Sequence, residues 1–261
     1  MVVATHVAWG LWLLRRLGWW LALALGTTAW AEPVPKVRAV DPPPATVLYV
    51  GNSFFSFNDG LNLHVEGLLD AADPENGFTS KLAAIGGSAL SGHDVEAYLR
   101  PVFRNPARPF DVVVLADCSQ CPVHPQLRPA FHEYVKKHSE TIRRHGAVPV
   151  LFMTWAYADH PEMTAQLAEQ YTLAGNSNAA LVIPVGLAFA RALSIDPRIR
   201  LHDEDRIHPS LAGTYLSACT VLAALHGKSP VGNSYTAGLD RSTATFLQHI
   251  AAETVTEYLR P

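Results

Sequence analysis

Apolar residues in this chain come either in short continuous runs or in spaced stripes, and the two patterns alternate. The runs are TVLYV from Thr46, SKLAAI from Ser80, FDVVVLA from Phe110, VPVLFMTW from Val148 and AALVIPV from Ala179. Short apolar runs rich in β-branched residues and bounded by Gly, Pro or Asp predict strands buried on both faces. Helical spacing of apolar residues fills the intervals between them. It predicts helices over Leu61–Leu69, Val95–Val102 (Pro101 arguing for an early stop), Pro129–Arg144 and Pro161–Ala174. Two more, around Ser210–Leu225 and Thr243–Leu259, close the chain. Strands that alternate with helices imply an α/β fold with three layers, a doubly wound, mostly parallel five-stranded sheet covered on both faces. Neither an internal repeat nor a second boundary interrupts the pattern, so a single domain is expected over residues 45–261.

The first 44 residues read differently. MVVATHVAWGLWLLRRLGWWLALALGTTAWAEP contains Arg15-Arg16, an apolar run from Leu17 to Leu25, and Ala29-Trp30-Ala31 before Glu32. Positive charge, a short apolar segment and a small-x-small site predict a secretory signal over residues 1–31, cleaved after Ala31, and hence a periplasmic or secreted protein. An uncleaved N-terminal membrane anchor is the alternative. Residues 32–44, EPVPKVRAVDPPP, form a proline-rich, extended leader. The remaining chain is ample for one core, and the 20 basic against 23 acidic residues of the full sequence show no basic run of the kind that binds nucleic acid. Three cysteines occur. Cys118 and Cys121 have redox-pair spacing, but Pro122 follows where such a pair would open a helix, so a closed disulfide or two quiet thiols is the simpler expectation. Cys219 lies among Leu216 and Leu222 as a core residue.

Candidate chemistry starts from a tripeptide that occurs three times: Gly51-Asn52-Ser53, Gly175-Asn176-Ser177 and Gly232-Asn233-Ser234. In a parallel sheet, ligands gather beyond the carboxyl ends of the strands. Only Ser53 directly follows a strand and precedes a helix. Gly175 follows a helix and feeds a strand, and Gly232 lies in a late loop. A serine hydroxyl needs a base, and a histidine base needs an acid to orient it. LHDEDRIHPSLAG supplies His208 with Asp205 three residues earlier, Asp203 being the competitor, and Pro209 and Gly227 suit the start and end of the next helix.

Taken in order along residues 45–226, these features resemble the SGNH (GDSL-type) hydrolase family, in particular an exported bacterial branch. The resemblance rests on Gly51-Asn52-Ser53-Phe54, on AAIGGSAL, on Asp205-Arg206-Ile207-His208, and on VLYVGNSF, FMTWAY, IPVGLAFARAL and HPSLAGTYL. It implies a flavodoxin-like fold and an ester hydrolase with Ser53 as nucleophile, His208 as base and Asp205 as its orienting acid. The oxyanion hole would use the backbone N–H groups of Ser53 and Gly87. Two departures stand out. Family members often carry Gly-Asp-Ser in place of Gly51-Asn52-Ser53. The usual third block, Gly-x-Asn-Asp, is missing, and counting from Asp111 puts Gln120 where its asparagine falls, with Ser119 as the fallback donor.

Other patterns carry less. His202, Asp203, Asp205 and His208 resemble a metal cluster, but adjacent loop carboxylates are usually solvated, and no metal is expected. GGSALSG lacks the lysine of a phosphate loop, so no nucleotide cofactor is expected either. Trp155 and Tyr157 follow the fourth strand and either stack on a sugar ring or belong to the core. The resulting expectation is an exported serine esterase acting on a small-molecule or glycan ester, such as an O-acetylated carbohydrate, without a cofactor, nucleic-acid partner or stable membrane insertion after signal cleavage. Two alternatives remain: a non-catalytic glycan-binding protein on the same fold, and a thiol–disulfide protein using Cys118 and Cys121.

Overall fold

Five strands form one sheet: β1 (Thr46–Gly51), β2 (Thr79–Ala84), β3 (Val112–Leu115), β4 (Val148–Phe152) and β5 (Leu181–Ile183). Every pairing is parallel and the spatial order is β2-β1-β3-β4-β5, so the sheet expected to be mostly parallel is wholly so. The computed structural model describes residues 33–100 and 110–260, which belong to one unit spanning Glu32–Pro261. The expected signal segment, residues 1–31, lies outside the described residues. Among the described residues, no helix is long and apolar enough to cross a membrane.

Strand side chains alternate between two cores, because successive Cβ atoms point to opposite faces. Val47, Tyr49, Val112, Val114, Val150, Phe152, Leu181 and Ile183 face one helical layer. It is built from α1 (Ser53–Ser56), α2 (Leu61–Ala72), α6 (Val185–Ile195), α7 (Leu211–His226) and α8 (Arg241–Tyr258). Leu48, Val50, Val113, Leu115, Leu151 and Val182 face the other layer, made by α3 (Val95–Leu99), α4 (Arg128–Arg144) and α5 (Met163–Ser177). This double covering explains why β1, β3, β4 and β5 read as continuous apolar runs, whereas the edge strand β2, only partly buried, carries Ser80 and Lys81. Each fully buried Val, Leu, Ile or Phe contributes roughly 1.5–3 kcal/mol.

Two helices depart from the sequence expectation. α6 continues directly from β5 through Pro184, so its apolar residues merge with the strand's run. Its stripe of Val185, Ala188, Phe189 and Ala192 has helical spacing and is buried, a signal that was present in the sequence. The short α1 begins at Ser53 itself rather than several residues later. α3 does stop early. Arg100, before Pro101, has φ −62° and ψ 132°, the extended conformation that a following proline ring imposes. Gly227 closes α7 with φ 63°, while Ser210 caps its start, its hydroxyl accepting from Gly213 N–H, so Pro209 lies just before the helix rather than in its first turn.

Candidate active site

Parallel strands place all their carboxyl ends on one rim, and in this order the connections diverge between β1 and β3. Ser53 lies at that point, one turn beyond β1. Its two sequence twins do other work. Asn176, in the last turn of α5, accepts from Lys36 N–H at 2.7 Å and donates to the Val34 carbonyl at 2.9 Å, tying down the leader. Asn233 donates to the Leu68 carbonyl at 2.8 Å and bridges a late loop to α2.

The histidine loop is folded back on itself. His202 and Pro209 form an antiparallel bridge, Asp203 N–H donates to the His208 carbonyl at 2.8 Å, and Ser210 N–H donates to the Leu201 carbonyl at 3.0 Å. This constriction presents His208 to Ser53, with Ser53 Oγ 2.8 Å from His208 Nε2 across 155 positions of sequence. On the far side of the ring, Nδ1–H donates to Asp205 Oδ2. The same carboxylate accepts from Ile207 N–H and His208 N–H, each at 2.9 Å, through Oδ1. The imidazole hydrogen bond, followed by that of the Ile207 N–H, holds the Asp205 carboxyl well below the usual range, at about 2, so it stays ionised. The competitor Asp203 uses Oδ1 to accept from Glu204 N–H at 2.8 Å, so of the two carboxylates only Asp205 meets the imidazole. His202, from the same string, gives Nε2–H to the Ala156 carbonyl at 2.9 Å.

Aromatic rings fix the plane of the imidazole. Phe57 stacks on His208 with centroids 4.2 Å apart and an interplanar angle of 5°, and Phe54 meets it edge-on at 5.7 Å. Sequence reasoning passed over Phe57, because stacking across such a separation leaves no local signal. Trp155 takes the core role of the two that were open to it. It is fully buried, stacked on Phe189 at 4.5 Å, with Nε1–H donating to the Ile207 carbonyl at 3.0 Å. A ring with no exposed face cannot stack on a sugar. Trp155 instead supports the residue next to His208. Tyr157 is only half-buried.

In the loop after β2, Gly87 has φ +71° and its N–H has no acceptor among the described residues. Ser53 opens α1, where its own N–H lacks an intrahelical partner. Of the two donors suggested after β3, the buried Ser119 is committed elsewhere, giving its hydroxyl hydrogen to the Trp155 carbonyl at 2.9 Å. Gln120 is exposed in the adjoining turn, and no hydrogen bond fixes its side chain among the described residues. Cys118 and Cys121 are joined in a disulfide with Cα atoms 5.2 Å apart. Cys219 is buried in the core, as its neighbours suggested.

Asp117, just after β3, is a buried carboxylate that the sequence did not draw attention to. Its Oδ1 accepts from Leu90 N–H at 3.0 Å and Cys118 N–H at 2.9 Å. Burial nevertheless lifts its carboxyl from the ordinary 3.8 to about 6. A raised acid binds its proton more tightly in the folded chain, so it favours folding below about pH 4 and loses that contribution as pH rises through about 6. The shift corresponds to roughly 3 kcal/mol. Asp117→Asn keeps the accepting oxygen and cannot ionise. Its melting temperature is expected to match wild type below about pH 4 and to exceed it above about pH 7. The buried His138 and His226, held below their ordinary value by burial, act with the opposite sign and cancel in this difference. A constant offset at all pH values would rule out the ionisation cost.

Sheet order defines the flavodoxin-like class of doubly wound α/β folds. No protein-family model and no curated protein sequence matches the chain. Among solved structures, it is similar to a candidate SGNH hydrolase from Slackia heliotrinireducens at 27% identity, covering 69% of this chain and 97% of the other, with a TM-score of 0.56. A DUF4886 family protein from Bacteroides uniformis is 19% identical, with 80% and 93% coverage and a TM-score of 0.59. The acetyl xylan esterase AlAXEase shares the fold at 16% identity, with 69% and 99% coverage and a TM-score of 0.53. The chain thus shares the fold of SGNH (GDSL-type) hydrolases, and its likeness to one of them supports a family of that type.

Proposed function

We propose that this chain is an exported serine esterase that transfers an acyl group from an alcohol to water through Ser53, His208 and Asp205. The observation carrying the reading is the unbroken hydrogen-bonded line from Ser53 Oγ through the imidazole to an ionised Asp205. Ser53 Oγ attacks the ester carbonyl, forming a C–O bond as its proton passes to His208 Nε2. Asp205 stabilises the imidazolium, and the stacked Phe57 ring holds it in line. Negative charge on the carbonyl oxygen is met by the N–H groups of Ser53 and Gly87, with Gln120 as a third donor when it swings inward. Collapse of the tetrahedral species breaks the bond to the alcohol, which leaves with the proton from His208. Water, activated by the same imidazole, then releases the acid and regenerates Ser53.

An acylated carbohydrate is the favoured substrate. Export would bring the chain to such glycans, and the same scaffold occurs in a protein whose name states acetyl xylan esterase activity. With Trp155 buried, Tyr157 is the remaining rim aromatic for a sugar ring. A screen of acetylated sugars against longer-chain esters tests this preference, and faster turnover of the long chains would reject it.

One observation favours a second reading. The exposed, unfixed Gln120 leaves the third donor position weak, as in a glycan-binding protein that has lost catalysis. Labelling the purified chain, without residues 1–31, with a fluorophosphonate distinguishes the two. Covalent label at Ser53, absent from Ser53→Ala, is expected. A binding module would take none, and a thiol–disulfide protein would instead lose its activity when Cys118 is replaced.

A further inference from the structure

We propose that Asn52 is a positioning residue for the oxyanion hole: its amide staples the Gly86–Ser88 loop to the turn that carries the nucleophile. This rests on the reading of Gly87 as an oxyanion donor. Gly86 and Gly87 are exposed, and a side chain built at either would meet nothing within 4 Å. Packing therefore does not locate the Gly87 N–H. Its position depends on the bonds that flank it.

Both flanks are tied to the two residues before Ser53. Upstream, Ile85 N–H donates to the Gly51 carbonyl at 3.0 Å. Downstream, Asn52 Nδ2–H donates to the Ser88 carbonyl at 3.1 Å, from a side chain only 4% exposed. The far end of the loop is anchored away from Ser53: Leu90 is held by Asp117 at its N–H and by His138 at its carbonyl. Ser88 Oγ pairs with His93 Nε2 at 2.9 Å, and that imidazole also bonds the Gly51 backbone. Of these links, the Ile85–Gly51 and Asn52–Ser88 bonds couple the Gly87 donor to the nucleophile's own turn without an intervening side chain from elsewhere.

Asn52 also does a second job. Its Oδ1 accepts from Phe54 N–H at 3.1 Å and caps α1. The two jobs need opposite polarity, an acceptor for the cap and a donor for the staple, and an amide supplies both. An aspartate, frequent at this position in the family, keeps the cap but sets a carboxylate oxygen against the Ser88 carbonyl. The difference between Asn and Asp, harmless to the serine, therefore acts on the oxyanion side.

The test compares wild type, Asn52→Asp and Asn52→Ser in p-nitrophenyl acetate turnover, with melting temperature measured on the same samples. Both variants retain a capping oxygen, and neither donates to Ser88, the serine being too short. Expected is a fall in kcat of about 10- to 100-fold in both, less than the loss of a donor outright, with KM within about twofold and the melting temperature preserved. A kcat within about twofold of wild type in Asn52→Asp overturns the staple and leaves Asn52 as a cap alone. A fall that appears in KM rather than kcat also overturns it. A wild-type chain that neither labels with fluorophosphonate nor turns over ester defeats the esterase reading itself and takes this inference with it, so the two failures are distinguishable.

Discussion

Replacing His208 with alanine is expected to lower ester turnover by about 10⁴-fold or more while the chain remains folded, measured as kcat/KM for p-nitrophenyl acetate in wild type and variant side by side. The size follows from what the imidazole does twice. In the proposed mechanism it accepts the Ser53 proton during attack and returns it to the leaving alcohol, and no second base lies at hydrogen-bond distance from Ser53 Oγ among the described residues. The half-buried ring makes little of the core, so its loss removes chemistry rather than packing. Ser53→Ala should give a loss of the same order. The double variant should be hardly worse than either single one, because the two residues act as a unit. Near-normal turnover in His208→Ala would refute the proton-transfer assignment, whatever the label on Ser53 showed.

Gly213→Ala should be a strongly damaging single methyl addition beside the loop that bears His208. Gly213 lies in the first turn of α7, and a Cβ there would stand 2.2 Å from the Leu201 carbonyl oxygen and 3.0 Å from the Phe189 ring. The first of these is backbone and cannot swing aside. The same carbonyl accepts Ser210 N–H at 3.0 Å, the bond that closes the loop bearing Asp205 and His208. Pushing α7 away therefore opens that loop. Overpacking costs about 1–3 kcal/mol and more where backbone must move, which for a domain of this size lowers the melting temperature by on the order of 10 °C. Turnover should fall with it, because His208 loses its register on Ser53. Gly92→Ala is the control: its nearest contact would be an ordinary 3.5 Å from Ser88 Cβ, and the change should be nearly neutral. Equal melting temperatures for Gly213→Ala and wild type would show that the two segments separate without cost.

Much of this protein was legible along the chain, because some of its determinants are local. Burial on both faces turns a strand into an apolar run, and one buried face turns a helix into a stripe of period 3.6. All five strands could therefore be read, as could most of the helices, and their alternation implied the parallel sheet. α6 escaped because its stripe adjoins the run of β5 with no polar break. The same local logic singled out Ser53 from its two copies, since only one follows a strand, and paired His208 with a nearby acid.

Other features depended on which distant atoms meet, and a linear pattern carries no record of that. Asp205, three residues before His208, is favoured over its competitor Asp203, but spacing alone cannot decide between them; the fold of the loop turns one toward the imidazole and spends the other on a backbone amide. Trp155 has the composition of a sugar platform, yet Phe189 and the Ile207 carbonyl enclose it. Asn52, Asn176 and Asn233 are the same residue in the same tripeptide, and each staples a different pair of segments. The sequence by itself determined the layers of the fold and the chemical types available at its rim. Only tertiary structure decided their partners, because a hydrogen bond depends on separation in space, and residues 155 positions apart acquire a 2.8 Å separation only when the whole sheet has formed.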